Sequence, residues 1–103
     1  MTGTEVLTEK LIDTATELEE IITGYRQSVN RFYAIGQEID SFWEGPASDE
    51  FAILIANDKT NFVAMARLME SYVATLRRSA SEYVKAENDV LERLNLHKIR
   101  RGH

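Results

Sequence analysis

The sequence has no cysteine, one proline and only five glycines among its 103 residues. The lack of cysteine excludes disulfides, thiolate metal sites and a cysteine nucleophile. So little proline and glycine argues against an all-β fold, which needs a turn signal about every 8–12 residues. The longest apolar run spans six residues, 51–56, whereas a membrane-spanning helix needs about 20. We therefore predict one small, mostly helical domain over residues 1–103, with little room for an enzyme cleft.

Acidic side chains outnumber basic ones and are concentrated in the first half of the chain. Residues 1–50 contain 11 acidic and 3 basic side chains, and residues 51–103 contain 6 acidic and 9 basic ones, for a net charge of −5. Because phosphate binding depends on clustered lysine and arginine, nucleic acid is not an expected partner. The N-terminus lacks the basic start and apolar stretch of a cleavable signal peptide, so any export is expected to use another route.

Apolar residues recur every seven positions and predict two amphipathic helices, over about 5–42 and about 47–95. An average spacing of 3.5 residues is typical of helices that pack closely and nearly parallel to one another. The main series are Leu11, Leu18, Tyr25, Phe32 and Ile39 in the first helix and Phe62, Met69 and Leu76 in the second. A further series in the first helix consists of Leu7, Ile21, Ile35 and Phe42.

The heptad pattern stops in the middle of the chain, at Trp43-Glu44-Gly45-Pro46. Glycine suits the left-handed residue just past a helix end, and proline suits the first turn of the next helix. We therefore predict a tight turn at 43–46 that joins the helices into an antiparallel hairpin. The pattern is lost again near the C-terminus, where residues 96–103 are predicted to form a flexible tail with a basic segment at 97–101.

The apolar pattern is wider than the seam of a single hairpin requires. Adjacent apolar pairs such as Ile21-Ile22 and Tyr72-Val73 extend beyond one stripe. An exposed apolar face of that length favours association. We predict that two hairpins pack face to face into an elongated four-helix bundle.

The mid-chain turn and the end of the second helix both resemble a known family. Trp43-Glu44-Gly45, placed between two helices of about 40 residues, resembles the turn of the Trp-x-Gly (WXG, early-secreted-antigen-like) proteins of type VII secretion. The family's C-terminal export motif, Tyr-x-x-x-Asp/Glu, is matched by Tyr83 and Glu87. Its extended form, with two further apolar positions, is matched by Val90 and Leu94.

This resemblance implies a small, virulence-associated secreted protein that is made in the bacterial cytoplasm and exported as a folded dimer without a cleavable signal peptide. In the family, the Trp-x-Gly turn of one subunit lies near the tail motif of its partner, and the secretion ATPase recognises both. Because this chain carries both motifs, we favour a homodimer, with a sister WXG protein as the alternative partner.

Other roles compete with this interpretation. Tyr83 also continues the core series of the second helix, and Trp43 would serve as a hydrophobic lid at the turn. The chain could instead be an adaptor or chaperone that pairs with a larger secreted toxin or a sister protein. Membrane activity is a third hypothesis, disfavoured by the acidic net charge. We find no catalytic constellation, metal site or cofactor motif in the sequence, and therefore expect neither an enzyme nor a cofactor.

Overall fold

A computed structural model describes residues 2–101 of the chain, with the side chains of residues 2–96. Two α-helices make up almost all of it: α1 spans Gly3–Asp40 and α2 spans Pro46–Arg101. No strand occurs within the described residues. The all-α, two-helix fold predicted from the heptad spacing is therefore confirmed.

All four helix ends differ from the predicted ones, by one to six residues. Helix α1 begins and ends about two residues earlier than predicted, and α2 continues to Arg101 rather than stopping at about residue 95. Loss of the heptad pattern does not end a helix in the absence of a helix-breaking residue, and no glycine or proline occurs between Pro46 and Gly102. Residues 102–103 of the predicted tail lie outside the described residues.

Helix α1 starts with a capping box formed by Thr2 and Glu5. The Thr2 hydroxyl oxygen accepts a hydrogen bond from the Glu5 amide at 3.1 Å, and the Glu5 carboxylate accepts one from the Thr2 amide at 3.2 Å. This reciprocal pair satisfies backbone donors that have no partner inside the helix. It fixes the start of α1 at Gly3.

The turn between the helices is specified by Gly45 and Pro46. Gly45 has a φ of 120°, which side-chain-bearing residues rarely adopt. A Cβ atom placed on Gly45 would meet no atom within 4 Å, so the requirement for glycine here is conformational and not steric. Pro46 occupies the first helical position of α2, where its missing amide proton costs no helical hydrogen bond.

The chain divides into two compact units, each built from a segment of both helices. The turn unit comprises residues 18–71, and the described part of the terminal unit comprises residues 2–17 and 72–101. In the turn unit, the Phe62 ring packs edge-on against the rings of Tyr25, Phe32 and Tyr33 at centroid distances of 5.9–6.5 Å. In the terminal unit, the buried side chains are small, namely those of Thr8, Ala15, Val73 and Ala80.

The two interior glycines of α1 have different surroundings. A Cβ atom on Gly36 would lie 3.0 Å from Cδ1 of Ile55, so glycine permits a close approach of α1 to α2 at this point. A Cβ atom on Gly24 would meet no atom within 4 Å. Gly24 therefore leaves open space on α1 that no other part of the described chain fills.

The main heptad series faces the helix–helix seam, whereas the further series of α1 faces outward. Of the main series, seven members are half-buried and Phe32 is 42% exposed. The further series is exposed throughout: Leu7, Ile21, Ile35 and Phe42 are 40%, 59%, 40% and 76% exposed. A single chain thus leaves a second apolar stripe of α1 in contact with solvent.

Candidate functional site

The Trp43 backbone and ring are both held in place within the turn unit. The Trp43 amide donates a hydrogen bond to the carbonyl of Ile39 at 2.9 Å, and its carbonyl accepts one from the hydroxyl of Ser48 at 2.8 Å. The indole ring packs on Phe51 with a centroid distance of 5.9 Å. Trp43 nevertheless remains 37% exposed. A partner can therefore contact the ring in a fixed position.

An apolar groove lies beside this turn, and the sequence pattern did not indicate it. Its volume is about 230 Å³, and its lining includes Tyr33, Gly36, Ser48, Phe51 and Ile55. The Tyr33 hydroxyl oxygen is buried without a hydrogen-bond partner among the described residues. Burial raises the pKa of Tyr33 above its usual value, and the nearby Asp58 and Tyr25 raise it further. Both effects move the hydroxyl further from ionisation.

The tail motif forms an exposed surface on the terminal unit. Tyr83, Glu87 and Val90 line an open groove of about 320 Å³ together with Thr4 and Ala86. Tyr83 is 45% exposed and Val90 is 53% exposed. Leu94, one helical turn beyond Val90, is 55% exposed. The motif therefore presents an aromatic ring, a carboxylate and apolar side chains along one stretch of α2.

Glu87 differs from its neighbours because it is half-buried, whereas every other residue from 81 to 96 is exposed. Its carboxylate oxygen Oε1 accepts a hydrogen bond from the Thr2 hydroxyl at 3.2 Å. Thr2 is 85 positions away in sequence, so this contact joins the start of α1 to the motif on α2. The sequence interpretation included Glu87 but missed Thr2.

The two surfaces carry aromatic, carboxylate and apolar side chains. Among the described residues there is no group of three or more histidine, cysteine, aspartate or glutamate side chains that could hold a metal ion. Neither helix contains, over its described residues, a stretch long and apolar enough to cross a bilayer. The turn unit presents the Trp43 indole ring, and the terminal unit presents the Tyr83 ring beside the Glu87 carboxylate.

Comparison with known proteins identifies the family. The family model described as WXG100, proteins of 100 residues with WXG, matches residues 4–88. The chain is also similar to an ESAT-6-like protein, EsxB, from Mycobacterium leprae (strain TN), with 29% identity over 93 residues that cover 88% of this chain and 93% of the relative. No solved structure matches the chain.

The matched segment contains the Trp43-x-Gly45 turn and, of the tail motif, Tyr83 and Glu87; Val90 and Leu94 lie beyond its end at residue 88. Proteins of this family are known as non-enzymatic secreted proteins, and they typically pair with a sister WXG chain. The chain has a Trp43-x-Gly45 turn between two long helices, and the family model matches it over residues 4–88. The chain belongs to the WXG100 family of type VII secretion substrates.

Proposed function

We propose that this chain is itself exported by a type VII secretion system, as a folded homodimer that the secretion ATPase recognises. The signal would have two parts: Trp43 and Gly45 of one subunit, and Tyr83, Glu87 and the apolar residues after them in the other. The observation that carries the proposal is the exposed groove lined by Tyr83, Glu87 and Val90. Side chains that served only a hairpin core would be buried from solvent.

The tail half of the signal has the chemistry of a recognition site for a partner pocket. Aromatic side chains contribute large contact areas in interfaces, and a carboxylate beside the ring adds a charge-assisted hydrogen bond. Val90 and Leu94 are exposed and lie four residues apart, so they share one helix face. A partner groove can bind such an apolar pair on a helix.

The turn half of the signal is supported by the fixed position of Trp43. Hydrogen bonds to Ile39 and from Ser48 hold its backbone, and Phe51 supports one side of its ring. A ring that is ordered before binding loses little conformational entropy when a partner contacts it. Tryptophan is also among the residues that contribute most to interface affinity.

Pairing with a second hairpin is supported by the outward apolar stripe of α1. Ile21 and Ile35 are 59% and 40% exposed, and the open space at Gly24 lies between them along the helix. A groove lined by Gly24, Ser28, Phe32 and Ile35 runs along this surface. Small residues allow a partner helix to approach closely, and flanking apolar side chains supply the buried area.

The partner of this stripe is proposed to be a second copy of the chain. The first half of the sequence is strongly acidic and the second half is basic. In a pair of copies, the acidic half of one chain can therefore lie against the basic half of the other. Each copy also carries both halves of the signal. Two copies would therefore provide complete signals without any other chain.

Export should depend on the secretion ATPase. In a bacterium that produces the chain and a type VII system, we expect the protein in the culture medium when the ATPase is active and only in cells when its ATP-hydrolysing site is inactivated. Quantitative immunoblots of medium and cells measure this, with a cytoplasmic enzyme as the control for lysis. Equal amounts in the medium of both strains would contradict the proposal.

The alternative role as an adaptor for a larger secreted toxin or for a sister chain rests on the tendency of the family to form unequal pairs. The adaptor role predicts that the isolated complex contains two different chains instead of two identical ones. Purification from the producing bacterium would then give a one-to-one complex with a second, non-identical chain. A pure homodimer from the same preparation favours the proposal made above.

A further inference from the structure

We propose that Thr2, at the start of α1, is a positioning residue for the export signal, because it holds the Glu87 carboxylate in the orientation that the secretion machinery recognises. This inference rests on the proposed function, since it concerns the same tail motif. It extends the recognition surface to the N-terminal cap of α1, which lies outside both motifs.

The position of Glu87 in the helix explains why it needs a partner. Val73 and Ala80 are buried seam residues of the terminal unit, and Glu87 is the next residue of that seven-residue series. A carboxylate at a seam position loses part of its hydration, which is unfavourable unless a donor replaces the lost water. Within residues 2–96, the Thr2 hydroxyl donates the hydrogen bond that takes the place of the lost water.

The capping box directs the Thr2 hydroxyl proton toward Glu87. A hydroxyl group has one proton to donate and two lone pairs that accept. One lone pair of Thr2 already accepts the Glu5 amide proton at 3.1 Å, and the hydroxyl proton is donated to Oε1 of Glu87 at 3.2 Å. The same oxygen thus caps α1 and binds α2, and the partial positive charge at the start of α1 favours the carboxylate there.

The tethered carboxylate lines the groove that carries the motif. Thr4, in the first turn of α1, lines this groove beside Tyr83, Ala86 and Val90. The first turn of α1 therefore contributes to the same surface as the motif residues of α2. Without the Thr2 hydrogen bond, the Glu87 side chain would regain its rotamer freedom, and a partner would have to order it on binding.

Two substitutions of nearly equal shape separate capping from positioning. Asparagine and aspartate are equally good N-cap residues, so Thr2→Asn and Thr2→Asp both retain the cap on α1. The asparagine amide can donate a hydrogen bond to Glu87, whereas an aspartate carboxylate has no proton to donate and repels it. Thr2→Ser retains both functions and serves as the conservative control.

The experiment measures export of these three variants, together with Glu87→Gln, and the carboxyl ¹³C chemical shift of Glu87 in each purified Thr2 variant. We expect Thr2→Ser and Thr2→Asn to be exported in the same amount as the unsubstituted protein. Thr2→Asp should be exported at least about fivefold less. All three variants should have the same helicity by circular dichroism. The Glu87 carboxyl signal should shift in Thr2→Asp and stay near its original position in Thr2→Ser.

The outcomes that overturn the inference are distinct from those that overturn the proposed function. Equal export of Thr2→Asp and Thr2→Asn, alongside failed export of Glu87→Gln, would refute the positioning role alone. An unchanged Glu87 carboxyl signal in Thr2→Asp would refute it as well. Normal export of Glu87→Gln would refute the proposed signal, and the positioning role with it.

Discussion

Replacing Tyr83 by alanine or Glu87 by glutamine should remove the protein from the culture medium while leaving it folded in the cell. Both side chains line the open groove of the terminal unit. Glutamine keeps the length of the half-buried Glu87 side chain and an oxygen that can accept the Thr2 hydrogen bond, so the substitution mainly removes the charge. Truncating an interface residue that contributes about 2 kcal/mol lowers binding about 30-fold. Tyr83 is 45% exposed, and substitutions at exposed positions usually change folding stability by less than about 0.5 kcal/mol. Immunoblots of medium and cells, with circular dichroism of the purified variants, test both parts of the prediction.

Two neighbouring substitutions are suitable controls for this experiment. Val84→Ala alters a side chain that is 45% exposed, as Tyr83 is, and Asp89→Asn removes one negative charge two residues after Glu87. Neither residue lines the groove. Both control variants should be exported normally. If Tyr83→Ala and Glu87→Gln were also exported normally, the tail motif would have no role in export of this chain.

Replacing Ile21 by glutamate should convert the proposed dimer into monomers. Ile21 is 59% exposed in a single chain, so a charge at this position is compatible with the isolated hairpin. In the dimer the same carboxylate would be buried at the interface without a partner, which costs several kcal/mol. The dissociation constant should therefore rise about 100-fold or more. Size-exclusion chromatography with light scattering should give twice the 11.8 kDa chain mass for the unsubstituted protein and a lower mass for the variant.

A second glutamate substitution on α1 distinguishes a specific interface from a general effect of charge. Thr23 is exposed, and its spacing from Ile21 places it away from the apolar stripe. Thr23→Glu introduces the same charge into the same turn unit and should leave the dimer mass unchanged. A folded monomer of unsubstituted protein at micromolar concentration would contradict the pairing of two copies.

Local sequence signals were sufficient to predict the all-α, two-helix fold. The heptad series through Leu11, Leu18 and Tyr25 identified residues that are half-buried in the structure. Phe32 is the exception: it is 42% exposed although its ring packs edge-on against Phe62, and Ile39, the next member of the series, is again half-buried.

The contact between Thr2 and Glu87 could not be predicted from spacing alone. The capping box at Thr2 has a recognisable pattern, threonine followed three residues later by glutamate, and would have placed the start of α1 correctly. The partner of its hydroxyl lies on the other helix, however, and depends on the register between the helices. Heptad spacing does not distinguish registers that differ by whole heptads, about two helical turns each, because the pattern is the same in every heptad.

The apolar stripe of Ile21 and Ile35 illustrates a second limit of sequence interpretation. Periodicity assigned both residues to a seam, but it did not distinguish a seam within one hairpin from one between two hairpins. The structure separates them, since Leu18 and Ile22 are covered within the turn unit, whereas Ile21 and Ile35 remain exposed. We propose that a second copy of the chain covers the exposed stripe.

A complementation experiment tests most directly the central claim, that two identical chains each contribute half of the export signal. One chain carries Trp43→Gly and the other carries Glu87→Gln, and each alone should fail to be exported. In a mixed dimer, Glu87 of the first chain meets Trp43 of the second, so one complete signal remains. Random pairing of equal amounts makes about half of the dimers mixed, and both chains should reach the medium together at about half the normal amount.

Distinct epitope tags on the two chains allow each to be measured in the medium and in the mixed dimer recovered from cells. The account predicts that neither chain is exported alone and that both are exported when produced together. Absence of both chains from the medium, although mixed dimers form in the cells, would contradict a signal shared between two copies of this chain.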